Sequence, residues 1–393
     1  MYDVVVIGAG PVGSHVAYKL AEKGHTVVVL EQRERLGGPV CCTGIIGREC
    51  ASSFGVEDNV ILRQVNSARL YSPSGRCLRL WRQETQAYII DRAAFDLVLA
   101  RKAQSKAADY VLSSVVKDMK VGDDRIRVEA VCQKEKLNFE ARAAVVATGF
   151  GSRLVGRLGL GRVGDFVTGA QVEVETRGID EVEVYFGQEI APGFFGWLVP
   201  TLPGRALVGL LSRHSPGHYL SKLMSSLLVQ GKIVSADVEL SYGGVPLKPL
   251  SKTYGERLMV VGDAAGQVKP TTGGGIYYGL LCADMVAGTL HRALDTNTLS
   301  AGSLVNYERE WKRKLGRELK VGYWARKLYE RLSDQQINRL FDIIISDGID
   351  ETLLKAEDLS FDWHGAPVLK LLGYRAVSKA LEVVKFPFRL TDR

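Results

Sequence analysis

The sequence predicts an α/β fold with a second, antiparallel-sheet domain and a helical C-terminal region. Three observations predict it. The amino terminus reads strand, glycine turn, helix, strand and acid in register. The middle of the chain holds segments in which apolar and polar residues alternate. From about residue 301 onward strand patterns disappear. The 393 residues allow two or three domains of roughly 100–200 residues each. A composition of 46% hydrophobic and 24% charged residues is that of a folded globular chain and excludes wholesale disorder. The longest apolar stretch, Ile276 to Leu290, is interrupted by Asp284, short of the ~18–20 residues of a membrane span.

Val4-Val5-Val6-Ile7 is an all-apolar run, the pattern of a strand buried on both faces of a parallel sheet. It leads into Gly8-Ala9-Gly10-Pro11-Val12-Gly13, a complete G-x-G-x-x-G, and a helical stretch from Ser14 to Lys23. Gly24 ends the helix, and His25 to Leu30 forms the second strand, with Glu31 at its tip. Each glycine has a task. Gly8 permits the tight turn, Gly10 lets backbone approach a pyrophosphate, and Gly13 seats the helix close to the sheet. The helix N-terminus aims N–H groups at phosphates, and Glu31 can accept hydrogen bonds from an adenosine ribose. The amino-terminal domain is therefore expected to be a Rossmann-like dinucleotide-binding unit.

Ala143 to Gly149 and Leu258 to Gly266 are two further buried strands that end in small-residue turns, the second with Asp263 directly after Gly262. Gly149-Phe150-Gly151 lacks the spacing of a second fingerprint, so no dedicated pyridine-nucleotide domain is expected. Gln171 to Glu175 and Val182 to Tyr185 alternate with period two, which marks an antiparallel sheet with one polar face. The expected organisation is a discontinuous dinucleotide-binding domain at 1–62, 88–164 and 245–300. An antiparallel-sheet substrate domain is expected at 63–87 and 165–244, and a helical region at 301–393.

The late Gly262-Asp263 segment resembles the flavoproteins of the p-hydroxybenzoate hydroxylase group. Four segments together resemble the geranylgeranyl reductase family within it. They are Gly37 to Gly44 with Pro39-Val40-Cys41-Cys42; Tyr88 to Asp96 with Arg92, Phe95 and Asp96; Pro192 to Pro200 with Trp197; and Gly262 to Ala265 followed by Pro270 to Ile276. In order and spacing the resemblance covers residues 1 to about 290. It implies an FAD-dependent reductase of geranylgeranyl chains, most naturally on a glycerophospholipid precursor. It also implies that backbone around Pro11 and Val12, the Glu31 carboxylate and the main chain of Val116 hold the ADP half of FAD. Cys42, Thr43 and Arg92 are implied to reach the cofactor, Asp263 its ribityl or phosphate region, and Gly274, Gly275 and Ile276 the isoalloxazine edge. The chain departs from the family at Cys41, Thr43, Lys269, Phe195 and Val199.

Reducing an isolated alkene requires a hydride, a proton and a dry apolar channel. Phe194, Phe195, Trp197 and Leu198 are the expected substrate wall, or core residues of an antiparallel sheet, and different faces of one strand can serve both ends. Cys42 is the candidate at the reacting face, either assisting protonation or shaping the turn. Cys50, Cys77, Cys132 and Cys282 are expected to be packing residues. No metal site is expected, because Pro216-Gly217 interrupts the helical spacing of His214 and His218. Asp123-Asp124 reads as a hairpin tip.

The net charge of +7 favours anionic partners weakly, and without a recognised motif it does not point to nucleic acid. From Arg309 to Arg331 Lys and Arg residues interleave with Trp311, Leu315, Leu319 and Tyr323 at four-residue spacing. Such a helix either packs its stripe on the protein or lies on an anionic membrane. The chain reads as cytoplasmic, soluble or peripheral on a membrane. An external electron donor, NAD(P)H or ferredoxin, is left open. Two competing functions remain: a flavin monooxygenase or halogenase on a small aromatic substrate, and a lipid-carrying flavoprotein without turnover.

Overall fold

The computed structural model describes residues 1–38, 40–354, 360–374 and 377. Pro39 and the end of the expected helical region, 378–393, lie outside them. In chain order the elements that matter begin with β1 (Tyr2–Ile7), α1 (Pro11–Ala21), β2 (Val27–Leu30), β3 (Ser67–Tyr71), β4 (Cys77–Trp81) and α2 (Arg92–Gln104). There follow β5 (Asp109–Val111), β6 (Ser114–Val121), β7 (Ile126–Cys132), β8 (Glu135–Val146), β9 (Phe166–Glu175), β10 (Val182–Phe186), β11 (Phe195–Pro200) and β12 (Arg205–Ser212). The rest are α3 (Pro216–Val229), β13 (Ser241–Pro246), β14 (Tyr254–Gly255), β15 (Leu258–Val260), α4 (Ile276–Asp295), α5 (Ala301–Tyr329) and α6 (Asp334–Ser346).

The chain forms two compact units. The first comprises Met1–Leu62, Ile89–Val167 and Gly243–Lys320. The second comprises Arg63–Tyr88, Thr168–Tyr242 and the described residues from Val321 onward. The helical stretch expected over 301–393 is thus divided between them, with α5 contributing to both.

In the first unit the sheet runs β14-β15-β8-β1-β2-β5, and a hairpin of β6 and β7 continues from β8. The pairs β15–β8, β8–β1, β1–β2 and β2–β5 are parallel. Val4, Val5 and Val6 are fully buried, as an all-apolar strand in a parallel sheet must be. Asp123 and Asp124 lie in the turn between β6 and β7, closed by Gly122 N–H donating to Arg125 O at 2.8 Å. Trp311, Leu315 and Leu319 on α5 are buried, and Trp311 Nε1 donates to Thr253 Oγ1 at 2.9 Å. That part of the basic helix therefore spends its apolar stripe on the protein. Among the described residues no helix is long and apolar enough to cross a membrane.

In the second unit the sheet runs β9-β12-β11-β10-β3-β4. The β9–β12, β12–β11 and β11–β10 pairs are antiparallel, and β10–β3 is parallel. One face packs on α3 through its buried Leu220, Leu223, Met224 and Leu227. A Cβ at Gly196 of β11 would come within 2.8 Å of Leu223 Cδ2, which shows how closely that helix seats. On the other face Leu70, Leu78 and Phe186 pack with Leu328, Leu332, Ile337 and Phe341 of the C-terminal helices. Cys77, expected as a packing residue, is exposed instead on the edge strand β4, where alternation points it outward.

Candidate functional site

The glycine turn is built as its residue types demand. Gly8 has φ +106°, and a Cβ there would stand 2.4 Å from Ala147 O. A Cβ at Gly13 would stand 2.0 Å from Gly8 O, so only glycine lets α1 approach β1 and β8 this closely. Gly10 is the opposite case: a Cβ there meets nothing within 4 Å. Gly10 is also the N-cap of α1, with no side-chain cap, and Pro11 occupies the first turn. The helix N-terminus, with no side-chain cap and room beside Gly10, is an anion cradle. Val12 has a second role that the motif does not reveal. Its side chain seats against Gly262 and Gly279, where added Cβ atoms would come within 3.3 and 2.5 Å of its methyl groups.

Glu31 stands at the tip of β2. Its Oε2 accepts from Ala9 N–H at 2.7 Å and its Oε1 from Arg33 N–H at 2.9 Å. The carboxylate is thus oriented by the glycine turn itself. Ser114 N–H donates to Glu31 O at 2.7 Å, which ties the start of β6 to this tip and brings Val116 close by. Thr148 Oγ1, buried beside Gly8, has no hydrogen-bond partner among the described residues. An open cradle, an uncapped helix and an orphaned hydroxyl fit a dinucleotide at this place.

Arg92 opens α2, capped by Asp91, whose carboxylate accepts from Ala93 and Ala94 N–H. Its guanidinium pairs with Asp96 at 3.1 Å, and its side chain passes the Cys42 turn, where a Cβ at Gly44 would stand 3.4 Å from Arg92 Cγ. Burial opposes the Arg92 charge, but Cys42 and Asp96 outweigh it and raise its pKa. Burial pushes Asp96 up, with Arg92 pulling the other way. Cys42 is half-buried, and its Sγ accepts from Gly44 N–H at 3.4 Å; Thr43 lies between them in the same turn. Asp263 is also pushed up by burial and held down by Arg92, so these groups share one electrostatic neighbourhood.

Asp263 follows Gly262 in a short turn after β15. Gly262 N–H donates to Gln267 Oε1 at 2.9 Å, and Gln267 Nε2 donates to Tyr307 OH at 2.8 Å. Tyr307 OH in turn donates to Val260 O at 2.8 Å. This buried bracket was missed in the sequence, since Gln267 and Tyr307 are 40 residues apart with no motif linking them. The Gly273-Gly274-Gly275 turn is closed by Gly273 N–H donating to Lys269 O at 2.8 Å and Lys269 N–H donating to Gly274 O at 3.1 Å. Lys269 is buried, its ammonium 5.5 Å from the Tyr278 ring centre. Gly275 caps α4 without a side chain, and a Cβ there would lie 2.6 Å from Asp263 Oδ1. Ile276 opens the helix, so a second uncapped N-terminus stands beside Asp263. Asp263 also lines a cavity of about 230 Å³ with Phe150, Arg153, Arg162 and Phe166.

The expected substrate wall lies in the second unit. Phe195 and Trp197 are half-buried on one face of β11, their ring centres 6.2 Å apart. Leu198 is fully buried on the α3 side. Phe194 is fully buried ahead of the strand, with the Arg326 guanidinium 4.4 Å from its ring centre. Arg326 also donates to Gly193 O at 3.2 Å, and burial lowers its pKa to about 10. Phe195 and Trp197 thus share one face of β11, and Leu198 lies on the other. Among the described residues His25, His291 and Asp295 also bring ligand-type atoms within 4.8 Å of one another. A 2.9 Å hydrogen bond between His25 Nε2 and His291 Nδ1 accounts for the two imidazoles.

The chain resembles known proteins over most of its length. The family profile described as "Lycopene cyclase protein" matches residues 3–346. The digeranylgeranylglycerophospholipid reductase of Methanocaldococcus jannaschii is 31% identical over 89% of this chain and 93% of its own length. The crystal structure of a geranylgeranyl bacteriochlorophyll reductase-like protein from Thermoplasma acidophilum superposes with a TM-score of 0.85 at 24% identity, covering 98% of this chain and 99% of that one. The p-nitrophenol 4-monooxygenase of Pseudomonas putida shares the fold more distantly, with a TM-score of 0.73 at 18% identity over 90% of this chain and 96% of that one. Together with the glycine turn, Glu31 and the Gly-Asp segment, these place the chain in the geranylgeranyl reductase family of flavin-dependent oxidoreductases, within the wider lycopene cyclase protein family.

Proposed function

We propose that the chain binds FAD in its first unit and saturates carbon–carbon double bonds in the geranylgeranyl chains of a membrane-lipid precursor such as a digeranylgeranylglycerophospholipid. One observation carries the reading: Cys42, Arg92 and Asp263 gather beside an uncapped helix N-terminus, in a chain 31% identical to a reductase of that name.

Backbone around Pro11 and Val12, with the N–H groups of Val12 and Gly13 as donors, holds the pyrophosphate, Glu31 the adenosine ribose, and the main chain of Val116 the adenine. Asp263 takes the ribityl region, and Gly274, Gly275 and Ile276 offer N–H groups to the isoalloxazine edge. When bound and reduced, FAD supplies the hydride that the alkene carbon receives. An unpolarised alkene also needs a proton at the adjacent carbon, and Cys42 Sγ is the group assigned to hold it. Arg92 orients that thiol while Asp96 balances the guanidinium charge. In the second unit Phe195 and Trp197 give the prenyl chain an apolar surface, with Phe194 and Leu198 fixing their positions. An external donor, NAD(P)H or ferredoxin, re-reduces the flavin. Because such a substrate resides in a bilayer, peripheral membrane contact is part of the proposal.

The test is anaerobic incubation of the FAD-loaded, dithionite-reduced protein with a digeranylgeranylated glycerophospholipid, followed by mass analysis. Products heavier by two mass units per double bond are expected. A product that forms only with oxygen would replace the reading with a monooxygenase, and bound flavin without any product would replace it with a carrier.

A further inference from the structure

His25, His291 and Asp295 have no part in the flavin or lipid assignments, yet their ligand-type atoms converge within the first unit. His291 and Asp295 stand four residues apart at the C-terminal end of α4, so they share one face of that helix. His25 follows Gly24 directly, whose φ of +86° turns the chain out of α1 toward β2.

Three distances define the cluster. His25 Nε2 and His291 Nδ1 are 2.9 Å apart, His291 Nδ1 and Asp295 Oδ2 3.4 Å, and His25 Nε2 and Asp295 Oδ1 3.9 Å. Ligand atoms bound to one tetrahedral zinc ion, with bonds of about 2.0–2.1 Å, stand about 3.4 Å from each other. The observed separations straddle that value. The imidazole planes meet at 62°, so the rings approach by their nitrogens rather than stacking.

The hydrogen bond between the imidazoles leaves the carboxylate unanswered. Only one of the two facing nitrogens carries the proton of that bond, and the other presents a lone pair. With either tautomer, a lone pair and an Asp295 oxygen stand side by side with no proton between them. A proton added to His25 would relieve this, but burial lowers its pKa, with His291 and Arg142 acting in the same sense against Asp3 and Asp295. A divalent cation meets all three atoms at once. Each neutral ring then keeps its proton on the far nitrogen, Nδ1 of His25 and Nε2 of His291, so none is released. The C-terminal end of a 20-residue helix also carries partial negative charge, which favours a cation there. The nearby Arg142 guanidinium is engaged by Asp3 Oδ1 at 2.9 Å and Leu294 O at 2.6 Å.

We propose that His25, His291 and Asp295 bind one divalent transition-metal ion, Zn²⁺ being the best match, with water as its fourth ligand. Two imidazoles and one carboxylate suit such ions, whereas Mg²⁺ and Ca²⁺ take oxygen ligands. The ion ties the chain entering β2, the strand that ends at Glu31, to the end of α4. The site lies outside the reductase reading and does not depend on it.

The experiment is calorimetric titration of Zn²⁺ into the full chain after a chelator has stripped adventitious metal. One Zn²⁺ per chain is expected, with a rise in melting temperature that saturates at the same ratio, and Mg²⁺ should do neither. Losing even an outer-shell partner of a metal site costs 10- to 100-fold in affinity. His291→Gln and Asp295→Asn remove ligands outright, so each should weaken Zn²⁺ binding by about 100-fold or more. Asp295 is exposed, which keeps its variant folded. Co²⁺ in place of Zn²⁺ reports the ligand set, and d–d bands without thiolate charge transfer are expected. A thiolate band would put the ion on cysteines and overturn the proposal. No saturable Zn²⁺ binding by the parent protein would overturn it too, as would undiminished binding in both variants.

Discussion

Gly10 and Gly13 sit three residues apart in one motif, and the structure assigns them different work. Gly10 has φ −67° and ψ 178°, a conformation alanine adopts freely, and its added Cβ meets nothing within 4 Å. An alanine N-cap is weaker than glycine by roughly 0.5–1 kcal/mol, while the stiffer unfolded chain returns about 0.4–1 kcal/mol. Gly10→Ala should therefore leave the stability of the flavin-free protein nearly unchanged. Its methyl group projects into the cradle, however, and holds a pyrophosphate off the helix N–H groups. Each charge-assisted hydrogen bond lost costs about 1.5–3 kcal/mol, so FAD should bind roughly 10- to 150-fold more weakly per bond. Gly13→Ala is different, because its Cβ would lie 2.0 Å from Gly8 O, which is backbone and cannot rotate away. The helix must move by more than an ångström, at the upper end of the roughly 1–3 kcal/mol typical of overpacking. Urea unfolding of the flavin-free proteins and FAD titration by flavin fluorescence read both quantities. Native FAD affinity in Gly10→Ala, or a loss of stability matching Gly13→Ala, would refute the assignment of the cradle.

Three other outcomes are expected. Lys232→Met strands the buried Glu183, whose carboxylate lies 2.7 Å from the ammonium, and should cost about 3–5 kcal/mol by urea unfolding, recovered in large part by adding Glu183→Leu. Glu181 is raised by burial but held down to about 2 by hydrogen bonds from Arg79 and Arg69, so its stabilisation is complete above its ordinary 4.5 and fades as pH falls toward 2. Glu181→Gln should flatten the stability–pH curve across that window, and an unchanged slope would show the pairing to be idle. Cys42→Ala should keep the yellow cofactor and lose reduction by about 10²- to 10⁴-fold, the range for a positioned proton donor, whereas Cys77→Ala should change nothing; undiminished turnover in Cys42→Ala would remove the thiol from the mechanism.

What could be read in the sequence was what lies within one local motif. The strand, glycine turn, helix and Glu31 follow one another along the chain, and their geometry is set by contacts across a few residues. The Gly-Asp turn is local too, but its bracket of Gln267 and Tyr307 is not. The period of α5 shows an apolar stripe but not what covers it, and only the fold reveals Thr253 opposite Trp311. Phe194 to Leu198 gave a wall or a core because alternation cannot say which face meets α3. In the sequence Gln171 is one residue of an alternating strand. Its place two strands from Trp197, across a glycine, depends on strand register.

The central claim is that electrons leave a flavin bound to this chain and end in a prenyl double bond. Its most direct measurement is an anaerobic titration of the reduced flavoprotein with geranylgeranylated lipid, with flavin absorbance and lipid mass read from the same sample. The account predicts one flavin reoxidised for each double bond saturated. A flavin that stays bleached until oxygen is admitted, with the lipid mass unchanged, would contradict it.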